Sequence, residues 1–355
     1  MNPIQEITLK WSLPVIPVYS LIHEHISRPL LINDSVVVLD GADLVQVDSS
    51  GTINWRCVHE SGFWGNPVQV EDFIVCASID NKVNFINSIG KVSDIIDLPT
   101  SVTTDILVEA SGDIWFGMGG AISSVIRINS EREIVFVTDV SRDFGLRHPI
   151  ARSNDGILWV ATNDGLVRLN AQTGAILNTW DLVCASGTLV DSDGSALVVG
   201  VLSEHECALV QVTSDGNITA KYPLPPLWRA KIIRYRNQLW LVGSTVSPWE
   251  SPTKDDYTLV ASLAQNGEPL TLTKYKAFRA IDASVDLIGN LWVGTYTYQD
   301  EEDEESGELI VYDDNVLHAL MMPVKNAGFG APVFNQDCEG IVATTTALVS
   351  FSFSA

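Results

Sequence analysis

One strand-like segment returns eight times along the chain: SVVVLD, FIVCAS, IWFGMG, LWVATN, ALVVGV, LWLVGS, LWVGTY and GIVATT. Anchored on Val37, Ile74, Trp115, Trp159, Leu197, Trp240, Trp292 and Val342, the copies stand roughly 37–52 residues apart, about 44 on average. That is the period of a repeated supersecondary unit. A second β-rich run follows each copy: DLVQVD, VNFIN, SVIRIN, LVRLN, ALVQVT, TLVASL, ELIVYD and ALVSFS. A third follows in seven cases: TINWR, KVSDII, EIVFV, ILNTW, ITAKY, LTLTKY and LHALMM. Turns such as SSG, SIG, QTG, SDG and QNG precede most of these, and their glycine supplies the positive φ that tight hairpins need. Long helical periodicity is absent, so the repeat is built from strands.

A further strand precedes the anchor, as in PLLIN, NPVQV, HPIAR, AKIIRY and APVFN. Each unit therefore contains four strands, a to d, with the anchor as strand b. The eighth unit lacks strand d, because the sequence ends at SFSFSA. The N-terminal segment ITLKWSL has the texture of TINWR and is orphaned. Residues 7–13 are expected to complete the last blade with residues 326–355. The reading is all-β: one domain over residues 1–355, an eight-bladed β-propeller of four-stranded antiparallel blades closed by the N-terminal strand. Closure removes aggregation-prone sheet edges. Seven blades is the alternative, with residues 1–30 or the last unit packed irregularly.

Several units resemble known propeller repeats. DGILWVATNDGLVRLNAQTG (155–174) and IGNLWVGTY (288–296) resemble those of two-component-regulator sensor propellers. SGDIWFGMGG (111–120) and SDGNITAKYPLP (214–225) resemble virginiamycin B lyase repeats. LVQVDSSGTINW (44–55) is similar to the tryptophan-docking repeats of pyrroloquinoline quinone-like (PQQ-like) propellers. The shared residues pack blades and make turns, so they carry fold rather than function. The lyase resemblance implies a catalytic His and Glu with a metal, which no local motif places here. The quinoprotein resemblance implies a vicinal cysteine pair, and the chain has no Cys-Cys. No cofactor is expected.

The formal net charge is −23, from 21 basic and 44 acidic residues. Nucleic acids and anionic membranes require basic surface, so neither is an expected partner. A basic protein, a cation or solubility alone is compatible with the charge. The N-terminal segment has no basic n-region, long apolar h-region or membrane span, which points to a cytoplasmic protein. Five scattered cysteines without a CxxC fit reduced thiols.

Six consecutive acids, Asp300, Glu301, Glu302, Asp303, Glu304 and Glu305, interrupt the b–c connection of blade 7. The b–c connections of blade 5 (LSEHEC, 202–207) and blade 6 (STVSPWESPTKDDY, 244–257) are also extended. Loops take on function because the scaffold need not change with them. The acids suit a basic protein or peptide, and Trp249, beside Glu250, is a candidate aromatic anchor. A solvated, purely solubilising loop is the competing explanation. A divalent cation is conceivable, but the run lacks the alternating ligands and turn glycine of a calcium loop.

The d–a connections repeat another pattern: HISRPL, FWGNPV, FGLRHPI, LWRAKI, AFRAID and GFGAPV. They place Arg28, Arg147, Arg229 and Arg279 at the entry to strand a, with aromatics Trp64, Trp228 and Phe278 at matching positions. Strand a lines a propeller's channel, so these residues are candidates for binding an anion at its mouth. The competing role is an ion pair with an acid of the next blade, such as Asp143 or Asp282. His148, beside Arg147, is the candidate acid or base, against a buried hydrogen-bonded role. His23 and His25 form an H-x-H without a third metal ligand, and no metal site is assigned. His205 lies between Glu204 and Glu206 and is expected to be solvated.

No nucleophile elbow, phosphate-cradling glycine loop or zinc spacing is present. The favoured reading is a non-catalytic scaffold for protein interaction or ligand binding. The alternative is a lyase, hydrolase or cyclase, or a small-molecule sensor, working at the channel mouth.

Overall fold

The structure is a computed structural model. It describes the backbone of residues 6–16, 18–20, 25–142, 146–203, 205–246, 253–278, 280–299, 304–313, 316–320, 322, 327–337 and 339–354. The eight repeats form eight antiparallel sheets, each with strands in the order a-b-c-d, and the fold is an eight-bladed β-propeller. Blade 1 comprises Leu30–Ile32, Ser35–Asp40, Asp43–Val47 and Ile53–Cys57. Blade 8 comprises Val333–Phe334, Gly340–Ala343, Ala347–Ser354 and, as its outer strand, Glu6–Pro14. The N-terminal strand pairs from Glu6 with Ser354 to Pro14 with Ala347. Its Lys10 forms an ion pair with Glu339.

The chain divides into two compact units. One contains residues Met1–Asp97, Ser247–Lys254 and Phe278–Ala355, and carries blades 7, 8, 1 and 2. The other contains Leu98–Val246 and Asp255–Ala277, and carries blades 3 to 6. In each unit the core lies in layers between consecutive blades. Val36 and Val38 pack with Ile341, Ala343 and Leu348 of blade 8, whereas Val37 and Leu39 pack with Phe63, Ile74 and Cys76 of blade 2. In the second unit, Trp159, Ala161 and Leu166 of blade 4 pack with Ala196, Val198 and Val210 of blade 5. A b strand is covered on both faces, so it is a continuous apolar run rather than an alternating one.

A second device ties the blades at their outer rims. Trp11, Trp55, Phe136 and Trp180 lie on d strands and reach the c–d turn glycine of the following blade: Gly51, Gly90, Gly174 and Gly216. A Cβ at Gly90 would stand 2.6 Å from Trp55, and one at Gly174 would stand 2.6 Å from Phe136. Both glycines have positive φ (77° and 71°), so turn geometry and ring docking each demand glycine there. Blade 3 departs from the pattern, with Arg132 holding the positive φ, 67°, in its c–d turn.

Three elements differ from the sequence expectation. The inner position of blade 3 is shared by two short strands, Ser101–Val102 and Leu107–Val108. Val18–Ser20 and His25–Ile26 form a separate two-stranded sheet outside the repeats. Blade 7 carries an additional short strand, Glu304–Ser306. Among the described residues, no helix is long and apolar enough to cross a membrane.

Candidate functional site

The structure treats the repeated arginines differently. In the first unit, Arg28 precedes strand a of blade 1, and its Nη2 donates to both carboxylate oxygens of Asp282 at 2.8 Å. Its backbone N–H donates to Asn66 Oδ1 at 2.6 Å. Asp282 lies on strand a of blade 7, so the ion pair spans blade 8 instead of joining neighbours as the sequence suggested. Asn66 lies in blade 2, and Arg28 therefore ties three blades together. Trp64 of blade 2 is half-buried, and its carbonyl accepts from the Cys76 thiol at 3.6 Å. Phe278 is buried. Arg279 lies outside the described residues.

In the second unit, three consecutive blades bring together their entries to strand a. Arg147 and His148 lie in the connection into blade 4, four and three residues before strand Ala151–Arg152. His148 Nε2 lies 3.2 Å from the carbonyl of Cys184, in the connection into blade 5. Ala185 O accepts from Ala230 N–H at 2.8 Å, and Ser186 and Ala230 form a parallel bridge. Ala230 belongs to strand Arg229–Tyr235 of blade 6, which Arg229 begins. Trp228 donates its backbone N–H to Ser244 O at 2.9 Å, while its side chain is 54% exposed. The repeated arginine position thus leads to a shared, backbone-bonded lip that includes Arg147, His148, Trp228 and Arg229.

Burial pushes the His148 imidazole down to about 4, and Arg229 and Arg147 push it in the same direction. The hydrogen bond to Cys184 O opposes them. At neutral pH the ring is uncharged, with Nε2 placed to donate to the carbonyl. It is therefore poorly suited to giving up a proton there, although its other nitrogen retains a lone pair. Thr188, two residues beyond Ser186, has a buried hydroxyl without a hydrogen-bond partner. Sequence pattern alone does not signal Thr188 or the Cys184 carbonyl, because neither repeats at an equivalent position.

The b–c connections also differ from simple loops. LSEHEC of blade 5 is largely a hairpin extension: Ala196–Ser203 pairs with Glu206–Val212, ending at Ser203 opposite Glu206. In blade 6 the base of the connection is closed by Thr245 N–H to Tyr257 O at 3.1 Å and Tyr257 N–H to Thr245 Oγ1 at 2.8 Å. Trp249 and Glu250 lie outside the described residues. In blade 7, strand Leu291–Gln299 pairs with the c strand only as far as Gly294 opposite Leu309. Thr297–Gln299 then pairs with Glu304–Ser306. The last two acids of the run are thus part of a hairpin and not of a loop, while Asp300, Glu301, Glu302 and Asp303 lie outside the described residues.

Of the histidines singled out, His25 has its backbone in the small N-terminal sheet, His23 is outside the described residues, and His205 sits exposed in the blade 5 turn. Among the described residues, no group of three or more His, Cys, Asp or Glu is arranged to hold a metal ion. Cys57, Cys76, Cys184 and Cys207 are buried free thiols.

No protein-family model matches the sequence, and no curated protein matches it. Solved structures do. BamB from Moraxella catarrhalis superposes with a TM-score of 0.69 at 11% identity, covering 99% of this chain and 98% of that one. The computationally designed Ika8 protein gives 0.66 at 11% identity, over 92% and 96% of the two chains. Virginiamycin B lyase from Staphylococcus aureus gives 0.54 at 14% identity, over 98% and 99%. The likeness is one of fold. A designed protein, a lyase and BamB share it, so it assigns no reaction to this chain.

Proposed function

We propose that this chain is a non-catalytic propeller that docks a protein or peptide with a basic surface through the acidic hairpin of blade 7. One observation carries the reading. Strand b of blade 7 runs five residues past its last pairing with strand c, and Thr297–Gln299 is paired by a returning strand. Glu304 and Glu305 therefore belong to a paired strand, and the other four acids of the run lie between Gln299 and Glu304 in the sequence. Holding six like charges together is unfavourable in isolation, and a basic surface relieves it. Charge complementarity of this kind sets partner choice and association rate.

The test replaces Asp300 and Asp303 by Asn, and Glu301, Glu302, Glu304 and Glu305 by Gln, preserving shape while removing charge. Proteins retained from the host lysate by wild type and variant are then compared by quantitative mass spectrometry. A basic protein retained by the wild type, and reduced at least tenfold by the variant and by high salt, is the expected result. An identical set in identical amounts overturns the reading.

A further inference from the structure

The first unit exposes apolar side chains where its turns have no local need of them. Ile79 stands in the b–c turn of blade 2, between Ser78 and Asp80, and is 55% exposed. Tight turns favour glycine, asparagine, aspartate and serine, so an isoleucine there is not explained by turn chemistry. The matching turn of blade 8 is Thr344, Thr345 and Thr346. Ala42, in the b–c turn of blade 1, is exposed as well. Ile16, which follows the closing strand Glu6–Pro14, is 58% exposed.

Backbone bonds and close contacts hold the three in one place. Ile16 O accepts from Gly41 N–H at 2.8 Å, and Ile16 N–H donates to Asp40 Oδ1 at 3.0 Å. Ala42 O accepts from Phe63 N–H at 2.8 Å, and Ile79 N–H donates to Gly62 O at 3.0 Å. A Cβ at Gly62 would stand 3.0 Å from Ala42 Cβ and 3.4 Å from Ile79 Cδ1, so these two side chains flank one point of the connection into blade 2. Ile16, Ala42 and Ile79 therefore form a fixed patch on blades 1 and 2. Its border is charged, and unevenly so. Asp40, Asp43, Glu60 and Asp80 lie within two residues of Ala42, Gly62 or Ile79. The bases beside them are Arg56, paired with Asp40 and Asp43, and Lys82, paired with Asp80. Carboxylates thus outnumber bases around the patch. Exposed apolar surface inside a polar border is the anatomy of a protein interface. An acidic border selects a partner of the opposite sign.

We propose that this patch docks a protein segment that presents an apolar side chain flanked by lysine or arginine. Ile16, Ala42 and Ile79 receive the apolar side chain, and the surrounding carboxylates receive the flanking cations. The proposal does not rest on the acidic hairpin of blade 7, although both surfaces favour a basic partner.

The experiment titrates the full chain, labelled at isoleucine δ-methyl groups, with three capped peptides followed by NMR. The probe is Lys-Leu-Lys-Leu-Lys; Lys-Ser-Lys-Ser-Lys removes the apolar groups, and Glu-Leu-Glu-Leu-Glu reverses the charge. The probe is expected to shift the Ile16 and Ile79 methyl signals saturably. The serine peptide binds there at least tenfold more weakly, and the glutamate peptide does not bind. The double variant Ile16→Ser, Ile79→Ser loses at least tenfold in affinity for the probe, read from the shifts of backbone amides around Gly62, and leaves the weak binding of the serine peptide unchanged. Both isoleucines are more than half exposed, and circular dichroism verifies that the variant keeps the fold. The titrations are repeated on the chain with neutralised acids at 300–305, where the same differences are expected. Failure of the hairpin reading is thereby distinguishable from failure of this one. The proposal is overturned if the probe does not shift the two methyl signals saturably, if it binds no tighter than the serine peptide, or if the double variant binds it as tightly as the wild type.

Discussion

Replacing Gly90 by alanine tests whether ring docking on the turn glycines holds blades together. The added Cβ meets Trp55 at 2.6, 2.7 and 2.8 Å from Cδ2, Cε3 and Cγ. Carbon atoms prefer separations of about 3.5–4.0 Å, so the indole has to retreat by roughly 1 Å. Overpacking of this kind costs about 1–3 kcal/mol. The backbone adds its own penalty, because φ is +77° and a Cβ in the left-handed region costs about 1–2 kcal/mol. Gly156 is the internal control: its φ is +81°, and a Cβ there meets nothing within 4 Å. Gly156→Ala therefore carries only the backbone term, about 1–2 kcal/mol. The excess of Gly90→Ala over Gly156→Ala, about 1–3 kcal/mol, measures the docking clash. It should vanish in a Trp55→Ala background, where the ring is gone. Urea midpoints followed by far-ultraviolet circular dichroism give the four values. The reasoning is refuted if Gly90→Ala costs no more than Gly156→Ala, or if the excess survives without Trp55.

Three further outcomes are expected. Deleting residues 1–14 removes the strand that covers Ala347–Ser354, and the exposed edge should raise the apparent mass on size-exclusion chromatography relative to the full chain, reversed by adding the peptide EITLKWSLP in trans. Asp286→Ala should destabilise by about 3–5 kcal/mol in the same urea assay, because the loss of a buried, multiply bonded charge strands its donors. The fully buried Asp286 accepts from the backbone N–H groups of Ile288, Gly289 and Asn290, from Asn290 Nδ2, and from Trp292 Nε1 at 2.9 Å. His148 binds its proton less readily in the folded chain, at about 4 against 6.5 unfolded, so the unfolded state holds more protons between those values. Stability should therefore fall as pH drops from about 6.5 to about 4. His148→Asn should flatten that part of the profile, and equilibrium unfolding at half-unit pH steps measures it. Asp48, Asp80 and Asp193, held low by hydrogen bonds from their neighbours, lose their contribution only at lower pH.

The b, c and d strands are legible in the sequence because each answers to a local rule: two-sided burial makes SVVVLD and LWVATN continuous apolar runs, and turn glycines mark their ends. The closing strand is legible because ITLKWSL has the same composition as other outer strands, down to the tryptophan that docks on the next turn. Non-local pairing is less accessible. Arg28 and Arg229 occupy the same repeat position, yet Arg28 forms an ion pair with Asp282 two blades away, whereas Arg229 opens an inner strand whose Ala230 bonds to Ala185 in the connection into blade 5. Which acid an arginine meets depends on side chains from other repeats, and a single repeat carries no record of them. The Glu304–Ser306 strand is hidden for a different reason: six acids suppress every usual strand signal, while cross-strand backbone bonds are indifferent to side-chain polarity.

Pairing Glu6–Pro14 with Ala347–Ser354 also orders events in time. About 340 residues separate the partners, and at a synthesis rate of roughly 5–20 residues per second the first strand waits between about 17 and 70 s for its mate to be made. Throughout that interval Glu6–Pro14 is a strand whose partner does not yet exist. The blades between them can assemble as they emerge, but blade 8 completes its sheet only after Glu6–Pro14 and Ala347–Ser354 meet. Closure of blade 8 therefore waits for residues 347–354, and a chain stalled before them leaves Glu6–Pro14 without its pairing partner.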